Sequence, residues 1–160
     1  MPELTQEQKD NYRKETQEHI NLVGRYLDHL CFLLENRAEF HDLSKFDPEE
    51  ENLRAVHIPE LRKHEFGSPQ YYEYLDLLKS AVDRHNSLNS HHPEHYPNGI
   101  DGMDLIDLCE MWADWNAASD VQKNGNPLKS FEICKKRFNM SDQLYNIFVN
   151  TLKRWDNGHR

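Results

Sequence analysis

The chain has 160 residues, of which 28 are acidic and 19 basic, for a formal charge of −9. That length suits one domain with a sizeable core, and the negative balance speaks against nucleic acid as a scaffold partner and against an anionic membrane surface. No apolar run approaches the roughly 20 residues of a membrane span, and the start MPELTQEQKDNYRKE lacks the apolar stretch of a secretory leader, so a cytoplasmic location is expected. Cys31, Cys109 and Cys134 lie far apart in apolar periodic segments without CxxC spacing, a pattern that predicts reduced, buried thiols.

Thr5 with Gln8 reads as a capping box, after which Tyr12, His19, Val23, Tyr26, Leu27, Leu30 and Leu34 recur at helical spacing to about Glu35. His19 is thus expected on or beside a buried stripe. A short second helix is predicted over 39–45, and Asp47-Pro48-Glu49-Glu50 then supplies an N-cap, a first-turn proline and acids suited to the helix dipole. Gly67-Ser68-Pro69 opens one long helix, with Tyr72, Leu75, Leu78, Val82 and His85 on overlapping faces, ending near Asn89. The segment 90–99, with His91, His92, His95, two prolines and an Asn-Gly pair, reads as a polar loop.

From Met103 to Ser119 the pattern is helical again, with Asp104, Asp107, Glu110 and Asp114 on one acidic stripe among Leu105, Leu108, Met111, Trp112 and Trp115. Gly125-Asn126-Pro127 breaks the chain. Helices over about 128–138 and 142–155 close the domain, the last with Ser141 as N-cap, and the charged tail from Arg154 to Arg160 is expected to fray. No period-two alternation appears. The expectation is an all-α bundle of about six to seven helices in a single domain spanning 1–160, with its core over about 5–155.

Through these helices runs a series of imidazoles and carboxylates: His19, the doublet His41-Asp42, His85, His91, His92 and Asp114. Such groups are ligands for hard-to-borderline divalent metals. Each also has an ordinary alternative: a core histidine at His19, a helix cap at Asp42, a polar helix end at His85, an exposed loop at His91 and His92, a solvated Lys45. Asp107 competes with Asp114, since the two face nearly the same way; if Asp114 is the ligand, Asp107 or Glu110 is left to orient a histidine. His29, His57, His64 and His159 lack a motif and are expected at the surface, and Glu94 and His95 have no firm role. Tyr71, Tyr72, Tyr74, Trp112 and Trp115 offer faces for stacking a base, but at helical spacing most are better read as core.

The order H…HD…D, the HDLSK at 41–45 and the HHPEHYPNG at 91–99 together resemble the HD-domain superfamily of metal-dependent phosphohydrolases, and are similar to small, little-characterised HD-like bacterial and phage proteins. The resemblance covers 19 to about 119. It implies an HD-like fold in which His19, His41, Asp42 and Asp114 form a first metal site, while His85, His91 and His92 with a bridging Asp42 form a second. It implies catalytic roles for Asp42, Lys45 and His85, with Lys45 offering a cation to a phosphate. It also implies a homodimer.

The function expected on these grounds is hydrolysis of a phosphate ester or anhydride, on a nucleotide or another small phosphorylated metabolite, with water activated by one or two divalent ions. Manganese, iron, cobalt, nickel, zinc and magnesium are not distinguished. The rival readings are a di-iron oxygenase built on much the same ligands and a non-catalytic metal- or nucleotide-binding protein. Glycine-rich phosphate loops, the GxSxG elbow and the zincin motif are all missing.

Overall fold

Helix formers dominate the chain between its glycine and proline breaks, and α-helix with short 3₁₀ turns is the only regular structure among the described residues of the computed structural model, which are 5–65, 67–122 and 124–158. Seven α-helices lie within them. None is long and apolar enough to cross a membrane. The chain divides between Glu39 and Phe40 into two compact units.

The first unit is essentially one helix, α1 (Gln6–Phe40). Its start is the capping box read from the sequence: the Thr5 amide donates to Gln8 Oε1 at 2.9 Å and the Gln8 amide to Thr5 Oγ1 at 3.2 Å. No glycine or proline follows Glu35 before Pro48, so α1 runs on past the expected stop and absorbs the start of the predicted second helix. No residue of α1 is buried, and Tyr12, Val23, Tyr26, Leu27 and His19 are all exposed. This corrects the expected buried stripe: spacing creates an apolar face, but a single-helix unit has no second layer against which to bury it.

In the second unit the chain turns sharply at His41-Asp42. Asp42 takes the left-handed conformation, φ 58° and ψ 16°, which short polar side chains tolerate better than most. Leu43–Phe46 is therefore a 3₁₀ turn and not part of an α-helix. Helix α2 (Pro48–Leu61) begins at Asp47 with Pro48 in its first turn, as its sequence signals, and ends soon after Pro59. The single long helix expected over 69–89 is two, α3 (Pro69–Leu77) and α4 (Lys79–Leu88). They join at Leu78, where no helix breaker stands; that side chain is buried at the joint. Ser68 caps α3 by accepting from the Tyr71 amide at 3.1 Å.

Helices α5 (Leu105–Asp120), α6 (Pro127–Arg137) and α7 (Asp142–Gly158) enclose the main core. Met111, Phe131, Met140 and Phe148 are its buried centre, with Leu108, Trp112, Trp115, Leu144, Val149 and Leu152 packed around them. Trp115 stacks on Phe138 at 6.0 Å and meets Phe148 edge-on at 5.9 Å, while Trp112 Nε1 donates to the Phe148 carbonyl at 3.2 Å. Both tryptophans are half-buried and pack against this core, as their helical spacing suggests. Ser141 caps α7, accepting from the Leu144 amide at 3.2 Å, and the helix continues past Trp155 to Gly158, through much of the tail expected to fray. His159 and Arg160 lie outside the described residues. All three cysteines are free, but Cys31 is exposed and only Cys134 is buried, because α1 offers Cys31 no cover.

The loop before α5 is more ordered than its composition suggests, with 3₁₀ turns at Pro93–His95 and Gly99–Gly102. Its tether is Asp107, which is 2% exposed. That carboxylate accepts from Ser90 Oγ at 2.6 Å, Tyr96 Oη at 2.6 Å and the Asp104 amide at 3.1 Å. Asp104, placed by its spacing on the acidic stripe, is instead the N-cap of α5 and accepts from the Ile106 and Asp107 amides. The hydrogen bond to Asp107, followed by burial, pushes the Tyr96 phenol above its ordinary range.

Two outcomes follow for stability. Asp107→Asn replaces a carboxylate acceptor with a neutral isostere and should cost about 1–3 kcal/mol, with faster amide exchange concentrated in 90–103; exchange unchanged there would contradict the tether. Burial pushes the Cys134 thiol from 9.0 up to about 11, so the unfolded chain gives up this proton first as pH rises. The contribution is complete below pH 9.0 and lost towards about 11. Urea titrations of wild type and Cys134→Ala should show a shallower alkaline decline in the variant, whereas parallel curves would contradict it.

Candidate metal centre

Four parts of the second unit converge on one point. The turn after α1 brings His41 and Asp42, the last turn of α4 brings His85, the following loop brings His91 and His92, and α5 brings Glu110 and Asp114 one turn apart. The left-handed backbone at Asp42 bends the chain towards α4, and Asn89 ends α4 in an extended conformation that starts the loop. The Asp107 tether then fixes that loop against the first turn of α5.

Asp42 is the centre of the arrangement. Its Oδ1 lies 3.0 Å from His85 Nε2 and 3.4 Å from His91 Nε2. Ligand-type atoms of Asp42, His85, His91 and His92 lie within 4.8 Å of one another. Asp42 Oδ1 and the Nε2 atoms of His85, His91 and His92 are all buried, and apart from the 3.0 Å approach of Asp42 Oδ1 to His85 Nε2 none has a hydrogen-bond partner. On its other oxygen, Oδ2, Asp42 is 3.2 Å from His41 Nε2 and ion-pairs with Lys45. His41 Nε2 also lies 3.7 Å from Asp114 Oδ1, giving a second group of His41, Asp42 and Asp114.

Glu110 makes a third such group with His41 and His91, from the other edge of both rings. Its Oε1 is 2.8 Å from His41 Nδ1 and 3.1 Å from His91 Nδ1. By engaging both rings on their Nδ1 edges it turns both Nε2 edges towards Asp42, which is how a carboxylate outside a metal's ligand set orients imidazole ligands. The rings crowd accordingly: centroids of His91 and His92 are 4.2 Å apart, His41 and His91 4.7 Å, and His85 and His92 4.8 Å.

The electrostatics suit cation binding. Burial alone would raise the Asp42 carboxyl, but His41, His85 and Lys45 outweigh it and hold the group well below the usual carboxylate range. Asp114 is likewise lowered, its burial outweighed by His41. Burial, then His91 and His85, press His92 down to about 3, leaving a neutral imidazole. Asp114, Asp42 and Glu110 together raise His41 to about 11, a measure of how strongly three carboxylates draw positive charge to that spot. A buried polar atom without a partner costs about 1–3 kcal/mol, and here four buried atoms face one another with little else to satisfy them. A divalent cation would satisfy all four at once, and imidazole with carboxylate is a donor set suited to it. The residues present fit a metal.

Of the ligand candidates taken from the sequence, His41, Asp42, His85, His91, His92 and Asp114 are gathered here, with Lys45 at the edge on Asp42. His19 is not: it lies exposed in the middle of α1, in the first unit, and joins no such group among the described residues. Between the competing aspartates, Asp114 faces His41 while Asp107 is taken up by the loop. Glu94 pairs with Arg137 at 2.7 Å, His95 packs against Tyr96, and His64 stacks on Tyr74, all away from the cluster.

No curated protein and no solved structure matches the chain. A family model matches residues 8–154, a span that includes every residue of the cluster. The chain belongs to DUF5662, a family of unknown function.

Proposed function

We propose that this protein is a metal-dependent phosphohydrolase acting on a small phosphorylated metabolite, with a nucleotide as the first class to test. The observation that carries the metal part is the set of four buried atoms facing one another on Asp42, His85, His91 and His92. The phosphohydrolase part is supported by the resemblance of HDLSK and the HD…D order to the HD-domain superfamily, with His41, Asp42 and Asp114 in one cluster beside His85, His91 and His92 and with His19 outside it. Asp42, His85, His91 and His92 would hold one ion, and His41, Asp42 and Asp114 would hold a second. A divalent ion bound there supplies Lewis-acid activation of water and neutralises charge on a phosphoryl group.

The chain's own residues do the rest. Glu110 keeps His41 and His91 turned inward. Lys45, paired with Asp42 and partly exposed, stands ready to move onto a phosphoryl oxygen, where a lysine acts as a point charge. A net charge of −9 does not oppose an anionic substrate, because bound cations set the local field. Manganese, iron, cobalt, nickel, zinc and magnesium are the ions to compare, and a cytoplasmic homodimer is the proposed working form.

The test pairs phosphate release with a substitution at the centre. Asp42→Asn is preferred to alanine because asparagine also tolerates the left-handed backbone. Wild type should release phosphate from at least one member of a nucleotide and sugar-phosphate panel with manganese, cobalt or magnesium added. Asp42→Asn should keep the helical signal and lose at least about 100-fold in rate. Full activity in the variant, or metal retained by wild type without phosphate release under any loading, would overturn the hydrolase reading.

A further inference from the structure

Glu50 stands in the first turn of α2, where the sequence assigns it to the helix dipole, yet its side chain is 0% exposed. Its Oε2 receives Arg54 Nε at 3.1 Å and its Oε1 receives Arg84 Nη1 at 3.0 Å. Arg84 is held in turn by Asp47 at 2.9 Å and Glu49 at 2.8 Å. The same Oε2 lies 3.3 Å from His85 Nδ1. Ser44 Oγ is 3.0 Å from that nitrogen.

Each edge of the His85 ring meets a carboxylate oxygen. Nδ1 meets Glu50 Oε2 and the Ser44 hydroxyl on the side away from the cluster, whereas Nε2 meets Asp42 Oδ1 inside it. Asn89 Nδ2 is also 3.1 Å from Nδ1, but its two hydrogens are directed to Ser44 Oγ at 3.0 Å and the His85 carbonyl at 2.8 Å. Acceptors thus stand on both edges; once a cation takes Asp42 Oδ1, the acceptors left for the ring proton are those at Nδ1, and the lone pair is on Nε2. Burying a carboxylate between two arginines is costly to build and often replaceable by apolar packing at no loss of stability. Such a network at the back of a ligand-type histidine has a use that a helix start does not require.

We propose that Glu50, with Ser44, is a positioning residue for His85: it holds the ring proton on Nδ1 and so keeps Nε2 as the donor aimed into the centre. This rests on the metal reading and extends it to the groups behind the ligands. A carboxylate behind a metal-bound imidazole fixes its tautomer and orientation and raises its basicity, and losing it lowers metal affinity about 10–100-fold.

Cobalt(II) is the probe, titrated into the full-length protein while its visible bands report the ligand field. Glu50→Gln keeps the shape and an oxygen for the arginines, so its helical signal should match wild type. Its cobalt affinity should fall about 10–100-fold and its visible bands should shift. Affinity within twofold of wild type with the same bands would overturn the role of Glu50 alone. Failure of wild type itself to take up cobalt would overturn the metal reading, and this one with it. Should Glu50→Gln not fold, nitrogen-15 spectra of the zinc-loaded wild type decide: His85 protonated on Nδ1 supports the role, and His85 protonated on Nε2 overturns it.

Discussion

One carboxylate organises the second unit. Asp42 is placed by a left-handed turn among three buried imidazole edges, a fourth histidine and a lysine, and it stays ionised there despite burial. Charge in a low-dielectric interior is tolerated only when it is matched, so the neighbours of Asp42 are constrained in kind as well as in place. Oδ2 is matched by Lys45 and faces His41; Oδ1 faces only buried imidazole nitrogens. That one-sided imbalance is what a cation would correct.

The rigidity comes from two directions. Behind His41, His91 and Asp114, helix α5 is pinned by Met111, Trp112 and Trp115 to the aromatic core shared with α6 and α7. Its first turn ties down the loop that carries His91 and His92 through Asp107. Behind His85, the α2–α4 side supplies Glu50, Arg54 and Arg84, a polar network where a core would ordinarily be apolar. The centre thus lies between an aromatic core and an ionic one. Each fixes its histidines from the Nδ1 side, through Glu110 on one flank and through Ser44 and Glu50 on the other.

Local chemistry made much of this legible in the sequence. Thr5 with Gln8, Asp47-Pro48, Ser68 and Ser141 mark helix starts where helices do start. Features that depend on distant packing were not legible. Nothing local marks the break at Leu78, whose side chain is buried, and the left-handed turn at Asp42 removes a helix that propensity favours. The order of histidines and aspartates brought out most of the cluster because ligand types far apart in sequence have little else to converge for. His19 shows the limit of periodicity, which gives the direction of a side chain but not what covers it. Glu50 shows another: its burial is fixed by Arg84, 34 residues further along the chain, so its first-turn position pointed to the helix dipole instead.

The most direct measurement is a crystal structure of the protein soaked in manganese, read by anomalous scattering at the metal edge. The expected result is a peak bounded by Asp42 Oδ1 and the Nε2 atoms of His85, His91 and His92, with or without a second beside His41 and Asp114. Full manganese saturation with no anomalous peak among these residues would contradict a metal centre and return the four atoms to an unexplained polar core.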